Sequence, residues 1–504
     1  MLFKQNYQKI KRYKDILEFI MKRSRFPFAL ALLLAVPFSL SACEGNKGVE
    51  SSKDNQSSQE VSSRQESSHQ ESSSDEEVQS SESSQEQSQS ESQLAFDISF
   101  NLEDITEEFD IHTEKQNGYL KDSYESISTY GSGTSENSKP NKLALSWTIE
   151  DCEEELTALR LNVYEASKDG KLIDRVSYPL DKDAISAEID NLKLGTNYTW
   201  SITAIAGDKE VESRHSSIST KDGVARFINI DGLSNVRDCG GWTTTDGKKI
   251  KQGLLYRGEE FNKQNNGRAG SSAADYHYDP SKAKEDDPYG QKISDKGITT
   301  VVDVLKIQTE VDIRGYETFD WESRINYSPA ECGGLVGELP DGSTDPENGV
   351  VGIVDEVNYV ICPVHTNRDK LYYDNYGREA CKNFFSMLAD MDGRLPIYFH
   401  CAQGKDRTGF LATLFQALLG CSKEDILRDY LLSNLGKTGS VSISKITSNY
   451  NYVDYFLEGK EVTNAGNKDK AKGSTIAERA YNYLLDCGLT SEQLDTIRDT
   501  FLED

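Results

Sequence analysis

The sequence lacks paired cysteines and is poor in basic residues. Its nine cysteines include no C-x-x-C pair, and no group of cysteines and histidines has the spacing of metal ligands. This pattern argues against a zinc site, and we expect neither a metal nor another cofactor. The 56 Lys and Arg residues are outnumbered by 84 Asp and Glu residues, which gives a net charge of −28. This charge argues against general affinity for nucleic acid or an anionic membrane surface, and an anionic ligand needs a local positive site.

The N-terminal apolar run, Phe26–Leu40, is shorter than the roughly 20 residues of a membrane-spanning helix. A basic stretch that begins at Met21 precedes this run, and Leu40-Ser41-Ala42-Cys43 ends it. A basic start followed by a short apolar run is typical of a secretory signal. This ending resembles a bacterial lipobox, which implies an exported protein that is acylated on Cys43 and anchored to the outer face of the cell membrane. We predict a signal peptide over residues 1–43, with translation starting at Met21. The alternative is an ordinary transmembrane anchor.

Changes in composition divide the rest of the chain. Residues 44–93 are almost entirely Ser, Gln and Glu and predict a disordered linker. Residues 94–139 receive no assignment. Residues 140–222 contain short alternating segments between turn signals, which predict a β-sandwich. Residues 223–504 interleave strands with amphipathic helices and predict an α/β domain, a central sheet flanked by helices.

The predicted sandwich has strands at 143–147, 156–164, 175–180, 185–189 and 198–206. The patterns Leu143-x-Leu-x-Trp147 and Leu192-x-x-Gly-Thr-x-Tyr198-x-Trp-x-Ile-x-Ala204 resemble fibronectin type III domains. The resemblance implies that Trp147 lies in the core and that Tyr198 forms a tyrosine corner.

In the α/β domain, 396–399 reads as a short buried strand and 410–419 as an apolar helix that stops at Gly420. The loop between them, from His400 to Gly409, contains C-x5-R. Such a loop before a helix N-terminus directs backbone N–H groups and the helix dipole at one point, which suits a phosphate dianion. We expect this loop to bind phosphate through the residues Ala402, Gln403, Gly404, Lys405, Thr408 and Gly409.

The same loop supplies a nucleophile. Cys401 should ionise at a helix N-terminus beside basic residues, and Arg407 offers a planar fork for two phosphate oxygens. Gly404 lets the loop turn, and the Thr408 hydroxyl can donate a hydrogen bond to the thiolate. We predict attack of Cys401 on phosphorus and a cysteinyl-phosphate intermediate.

The motif His400-Cys-x-x-Gly-Lys-Asp-Arg-Thr-Gly409 resembles bacterial tyrosine-phosphatase-like proteins, a group that includes dual-specificity and phosphoinositide phosphatases. Four other blocks fit the same family in order, at 235–241, 253–257, 305–314 and 429–434, and 483–488 fits its C-terminal helices. The resemblance implies metal-free hydrolysis of phosphomonoesters, with Lys405 broadening the pocket toward phosphoinositides or phosphoproteins. Segments 262–292 and 331–352 depart from the family pattern and read as long polar insertions.

The general acid remains open among three aspartates. Asp406 lies inside the loop, Asp369 follows a predicted strand at 357–363, and Asp312 ends another strand. We rank Asp406 and Asp369 above Asp312, and each could instead orient Arg407 or Arg314 through a salt bridge. His400, Asp312 and Arg314 are the expected supporting residues.

Three functions compete at this point. The first is a surface phosphatase acting on phosphoproteins or phosphoinositides. The second is a phytase-like inositol polyphosphate phosphatase, which shares the chemistry. The third is an adhesin whose sandwich recognises a surface ligand and whose second domain only holds an anion. Because every candidate reactive residue lies beyond residue 300, we expect the sandwich to be dispensable for chemistry.

Overall fold

The computed structural model describes residues 96–127, 133–167, 169–261, 292–314, 354, 356–364, 372–373, 375–390, 394–436, 452–464 and 466–503. The predicted signal with Cys43, the linker and the insertion at 331–352 lie outside these residues, as does all but the last residue of the insertion at 262–292. No helix in the described ranges is long and apolar enough to cross a membrane.

Antiparallel strands form two sheets in the N-terminal part. They are β1 (Ser99–Leu102), β2 (Leu143–Glu150), β3 (Ala158–Ala166), β4 (Leu172–Leu180), β5 (Ser186–Ile189), β6 (Asn197–Ala206), β7 (Lys209–Glu212) and β8 (Ser216–Ser219). One sheet has the order β1-β2-β5, and the other has the order β4-β3-β6, with β7 and β8 both paired to β6. All five predicted strands are present, and β1, β7 and β8 were not predicted.

The two sheets share one core. Alternate residues of β2 and β6 point into it, and the rings of Trp147 and Trp200 lie 6.4 Å apart there. The hydroxyl of Tyr198 accepts a hydrogen bond from the backbone N–H of Lys193 at 2.8 Å. This hydrogen bond has the geometry of a tyrosine corner, in which the hydroxyl of a strand tyrosine is hydrogen-bonded to the backbone a few residues upstream.

A mixed sheet organises the C-terminal part. Its strands are β9 (Arg237–Asp238), β10 (Leu255–Gly258), β11 (Thr309–Arg314), β12 (Asn358–Val364) and β13 (Ile397–His400). The order is β12-β11-β13-β10-β9, in which β9 is antiparallel and the other pairings are parallel. Strand β13 is therefore central, and its carboxyl end is where ligands bind in sheets of this kind.

Helices and short turns complete the described elements. The helices are α1 (Glu114–Lys121), α2 (Tyr124–Ile127), α3 (Asp295–Thr299), α4 (Asn375–Ala389), α5 (Asp406–Leu419), α6 (Lys423–Leu431), α7 (Ile476–Cys487) and α8 (Ser491–Phe501). Short helical turns occupy Glu136–Ser138, Thr300–Val304, Leu432–Asn434 and Val453–Leu457, and a small hairpin joins β14 (Val462–Asn464) to β15 (Asn467–Asp469).

Local sequence signals explain the helix ends near the loop. Ser422 accepts a hydrogen bond from the N–H of Asp425 at the start of α6, and Gly420 ends α5 with a φ of +93°. The prediction that the apolar helix begins at Phe410 is wrong, because α5 begins four residues earlier, at Asp406. The last residues of the C-x5-R motif therefore form the first helical turn, where unpaired N–H groups and the dipole are available to an anion.

The faces of the mixed sheet have separate cores. Ile397 and Phe399 of β13 face the larger one, which they share with α4, α5, α7 and α8. Tyr398, between them in sequence, faces a smaller core formed with α3 and the segment after it. This alternation explains the apolar run at 397–399, since a strand buried on both faces has no polar side.

Residues 112–127 and 133–138, inside the segment that received no assignment, pack against the α/β domain. Tyr119 of α1 is buried in the larger core, and the Gly133 N–H donates to the Asn434 carbonyl at 2.7 Å. The Asn235 N–H donates to the Ser138 hydroxyl at 3.3 Å. Strand β1, in the same segment, pairs with β2 of the sandwich. The chain therefore contributes to the α/β domain before it forms most of the sandwich.

Candidate active site

The loop after β13 turns sharply against the end of β10. Gly404 has a φ of +61°, and a Cβ atom placed on it would lie 2.1 Å from the carbonyl oxygen of Gly258. Both the left-handed backbone and the close approach require glycine at this position. Residues 401–405 thus form a tight turn between β13 and the first turn of α5.

Cys401 is buried at the start of this turn, and its backbone N–H donates to the Thr408 hydroxyl oxygen at 2.9 Å. Burial disfavours ionisation of the thiol and raises the pKa of Cys401. The positive charge of Arg407 stabilises the thiolate and lowers this pKa. Hydrogen bonds to the sulfur from Thr408 and from the Gln403 N–H act in the same direction. The net result is a Cys401 pKa of about 7. A large share of the sulfur is therefore thiolate at neutral pH.

The other cysteines with a resolved shift behave oppositely. Burial raises the pKa of Cys362 to about 12 and that of Cys487 to about 11, and it also raises the pKa values of Cys239, Cys381 and Cys421. Burial is the largest effect at each of these cysteines, and it outweighs the arginines that act in the other direction on Cys239, Cys381 and Cys487. Within the described residues, the loop therefore provides the environment that makes a buried cysteine acidic.

The loop carries two cations, and the charge of Arg407 acts directly on this sulfur. The Nη1 atom of Arg407 is buried and has no hydrogen-bond partner among the described residues. A buried guanidinium nitrogen without a partner is costly unless a ligand supplies an acceptor. Lys405 is also buried, and its Nζ atom lies 4.0 Å from the carboxylate of Asp406. The arrangement suits a tetrahedral oxyanion such as phosphate.

Two side chains hold the carbonyl groups of the turn from behind. The Asn235 side-chain amide donates to the carbonyl oxygens of Gln403 at 3.0 Å and Gly404 at 3.3 Å, and Arg257 donates to that of Gly404 at 3.0 Å. In a trans peptide the N–H points opposite to the C=O. These bonds therefore direct the next N–H groups away from Asn235 and Arg257, as an anion cradle requires.

Asp429 of α6 anchors this support. Its carboxylate accepts hydrogen bonds from Arg237 at 2.8 Å and from Arg257 at 2.7 Å, and all three side chains are buried. Burial alone would raise the pKa of Asp429, but the two guanidinium groups hold it below its ordinary value. Arg237 also donates to the Asn235 side-chain oxygen at 2.7 Å. One buried network thus fixes both residues that support the turn.

These supporting roles were missed by sequence reasoning. The network joins the blocks at 235–241, 253–257 and 429–434, which were recognised as family patterns without a role for each residue. Buried Arg and Asp residues in three separate blocks were the available signal, since buried charges are nearly always paired.

The candidate acids have different surroundings. Asp406 lies in the first turn of α5, is partly exposed, and accepts a hydrogen bond from the Tyr430 hydroxyl at 2.8 Å. Asp312 is fully buried in β11, which continues to Arg314. Asp369 and the side chain of Arg314 lie outside the described residues. His400 ends β13 and contacts Glu310, which the sequence did not single out.

Comparison with known proteins identifies the family of this chain. Residues 228–271 and 290–503 match the tyrosine phosphatase family. The chain belongs to this family. A Cupriavidus necator protein named "Putative tyrosine-protein phosphatase" is 28% identical over 213 residues, which cover 41% of this chain and 63% of the relative. The match thus spans less than two thirds of the relative's length.

Solved structures similar to this chain include an FN3 domain of human collagen XX, at 20% identity, and the FN5 domain of Drosophila Lar, at 13% identity. They cover 16% and 23% of this chain and 76% and 100% of their own chains, and each has a TM-score of 0.14. Scores this low carry no argument, so the fibronectin type III assignment stays a prediction. Among the described residues, no group of three or more His, Cys, Asp or Glu side chains could hold a metal ion.

Proposed function

We propose that the protein is an exported, lipid-anchored phosphatase that hydrolyses phosphomonoesters through a cysteinyl-phosphate intermediate. The observation that carries the proposal is the Cys401 pKa of about 7, which stands against the raised pKa values of the other buried cysteines. Membership of the tyrosine phosphatase family supports the same activity.

In the first step, the thiolate of Cys401 attacks phosphorus while Arg407 and the loop N–H groups bind the phosphoryl oxygens. The S–P bond forms, the P–O bond to the leaving group breaks, and a carboxylic acid donates a proton to the leaving oxygen. In the second step, water attacks phosphorus and gives its proton to the same carboxylate. The S–P bond then breaks, which releases phosphate and restores the thiolate.

Among the described candidates, Asp406 suits the acid better than Asp312. Asp406 is partly exposed and its carboxylate lies 4.0 Å from Nζ of Lys405, whereas Asp312 has no exposed surface through which a substrate could reach it. Asp369 stays a candidate from the sequence. An Asp406→Asn variant should lose far more turnover with alkyl phosphates than with an aryl phosphate whose leaving group needs no proton.

The decisive experiment compares Cys401→Ser with Cys421→Ser. Serine at 401 preserves the loop N–H groups but does not ionise near neutral pH, so turnover of p-nitrophenyl phosphate should vanish while vanadate binding persists. Cys421 is buried and burial raises its pKa, so serine there should leave turnover intact. Rapid quenching of the wild type should trap phosphate on Cys401. Normal turnover by Cys401→Ser, or inactivation of the wild type by a metal chelator, would refute the mechanism.

The chemistry of the loop does not distinguish between substrate classes, so the class is identified by measuring turnover of a panel of substrates. Phosphotyrosine peptides, phosphoinositides and inositol hexakisphosphate all present the same phosphate monoester. Lys405 adds a second cation to the loop, which favours substrates with additional negative charge. A preference for inositol hexakisphosphate would identify the phytase-like alternative. Binding of phosphate without turnover of any substrate would identify an anion-binding surface protein.

A further inference from the structure

The ring of Tyr430, on α6, packs directly on the backbone of α5. A Cβ atom placed on Gly409 would lie 2.6 Å from Cε2 and 2.7 Å from Cδ2 of this buried ring. Glycine at 409 therefore leaves the room that the ring needs, which is a role besides its predicted phosphate binding. From this position the Tyr430 hydroxyl reaches Asp406, one helical turn before Gly409, and donates to its Oδ1 atom at 2.8 Å.

Tyr430 is itself held in place. The preceding residue, Asp429, is buried and bound by Arg237 and Arg257. Nη2 of Arg257 lies 3.4 Å from the same Cβ position on Gly409, so the guanidinium group and the tyrosine ring both border this point of α5. The buried network that supports the phosphate loop thus also fixes the helix that carries Tyr430.

The hydrogen bond from Tyr430 determines which oxygen of Asp406 carries a proton. The last torsion of an aspartate side chain is broad, so the helix backbone does not fix how the carboxyl group is turned. Because Oδ1 accepts the phenolic hydrogen, the proton of a neutral carboxyl group belongs on Oδ2. Oδ2 lies 4.0 Å from Nζ of Lys405, a residue of the phosphate loop. The acidic hydrogen is therefore on the side of Lys405, whereas Oδ1 faces the buried tyrosine.

We propose that Tyr430 is a positioning residue that holds Asp406 as the general acid, with Oδ1 bound to the tyrosine and the transferable proton on Oδ2. The inference rests on the proposed function, which requires an acid for the leaving oxygen. In the first step the O–H bond at Oδ2 breaks, its electron pair stays on the carboxylate, and the proton forms a new O–H bond with the leaving group.

The hydrogen bond from Tyr430 becomes stronger as this proton leaves. It joins two neutral groups before the transfer, whereas afterwards its acceptor is a carboxylate, and hydrogen bonds to ionised acceptors are roughly twice as strong. The tyrosine therefore stabilises the transition state of proton transfer more than the ground state, and only such a difference accelerates the step. A substrate whose leaving group needs no proton gains nothing from this bond. The effect of Tyr430 should thus depend on the leaving group.

Tyr430→Phe removes the hydroxyl and keeps the ring on Gly409. We expect kcat/KM to fall about tenfold for phenyl phosphate, whose leaving group needs a proton, and less than about twofold for p-nitrophenyl phosphate. In the Asp406→Asn background, which has no acidic proton to give, Tyr430→Phe should cause no further loss with either substrate. Tyr483→Phe is the matched control, because it removes another buried hydroxyl from the larger core, 3.8 Å from the sulfur of Cys381, and should leave both values unchanged.

The kcat/KM value covers the steps up to departure of the leaving group, so hydrolysis of the intermediate does not enter the comparison. Urea unfolding checks that each variant is folded. An equal loss with both substrates, no loss with phenyl phosphate, or a further loss in the Asp406→Asn background overturns the inference and leaves the phosphatase function standing. So does an Asp406→Asn variant with the leaving-group dependence of the wild type, which would assign the acid elsewhere. A wild type that releases no phosphate from either substrate refutes the proposed function, and the inference falls with it.

Discussion

Arg257 and Asp429 form an ion pair of 2.7 Å that is buried behind the phosphate loop. The other terminal nitrogen of the same arginine, Nη2, donates a hydrogen bond to the carbonyl oxygen of Gly404 at 3.0 Å. One side chain thus connects the charge on α6 to the backbone of the turn. This connection means that the geometry of the catalytic loop depends on a charge in a different helix.

We expect Asp429→Asn to destabilise the protein strongly. The change leaves Arg237 and Arg257 buried without their counter-charge, and breaking a buried pair costs about 3–5 kcal/mol. Urea unfolding measures the cost, and turnover should fall in the fraction that stays folded. Asp454→Asn removes the exposed ion pair with Lys460 and should leave the unfolding midpoint unchanged. Equal stability of both variants would mean that the buried network is not a support.

The active-site loop was predictable because its signals are local. Cys401, Gly404 and Arg407 stand within one motif, and an apolar strand and helix flank it in sequence. The start of α5 was placed too late because Asp406, Arg407 and Thr408 are polar and carry no apolar periodicity. These three residues form the first turn of α5, directly after the phosphate loop. An acidic residue such as Asp406 is favoured there because the N–H groups of a helix N-terminus carry partial positive charge.

The support of the loop was not predictable from local patterns. Arg237 and Asp429 are separated by 192 residues, so nothing in their own neighbourhoods shows that they meet. The same is true of the segment before the sandwich. Its helix α1 does carry a local signal, since Thr113 and Gln116 form a capping box. The helix is too short, however, to show a clear apolar periodicity in the sequence.

We expect Gly404→Ala to abolish both vanadate binding and turnover. The added Cβ would lie 2.1 Å from the Gly258 carbonyl oxygen, so the turn must move away from β10 and from the geometry that binds phosphate. Gly466→Ala is the matched control, because Gly466 has a φ of +85° and open space around its Cβ position. Both variants carry left-handed strain of about 1–2 kcal/mol. If the two lost activity equally, backbone strain rather than the clash would be responsible.

The alkylation rate of wild-type Cys401 should rise with pH and reach half its plateau near pH 7. The direction follows from the chemistry: the thiol is protonated below its pKa of about 7, and the thiolate is the form that reacts. Phosphate in the loop should protect it. Cys239 and Cys421, whose pKa values are raised by burial, should stay unmodified in the folded protein. A half-maximum above pH 8.5, the value of a free thiol, would contradict the assigned environment.

Cys43 is predicted to carry the lipid that anchors the protein. The mature wild type should fractionate with membranes and show an acyl mass on its N-terminal residue, because anchoring of this kind requires covalent acyl chains. A Cys43→Ala variant should be released from membranes or mislocalised. Cys152→Ser, which changes a partly exposed cysteine in the sandwich, is the control for general effects of losing a thiol. Membrane association of Cys43→Ala equal to that of the wild type would defeat the prediction.

From the sequence we expected the sandwich to be dispensable for chemistry, so that a chain starting at Gly223 would keep its activity, but the contacts support the opposite expectation. Arg226 is buried, and it donates to the backbone carbonyl oxygens of Leu192, at 3.1 Å, and Asn191 in the sandwich. Truncation would remove these acceptors, together with Ser138, which holds the backbone of Asn235. It would also remove Tyr119 from the larger core.

We therefore expect the Gly223 truncation to be poorly soluble or inactive, whereas a chain starting at Phe96 keeps every described contact and should fold with wild-type turnover. Circular dichroism and turnover of p-nitrophenyl phosphate compare the two chains at equal concentration. Ser138→Ala in the full chain isolates the contact nearest the loop. Because it removes one acceptor from a buried N–H, it should cost about 1–3 kcal/mol of stability and lower turnover. A soluble Gly223 truncation with wild-type turnover would show that the loop is held entirely from within the α/β domain.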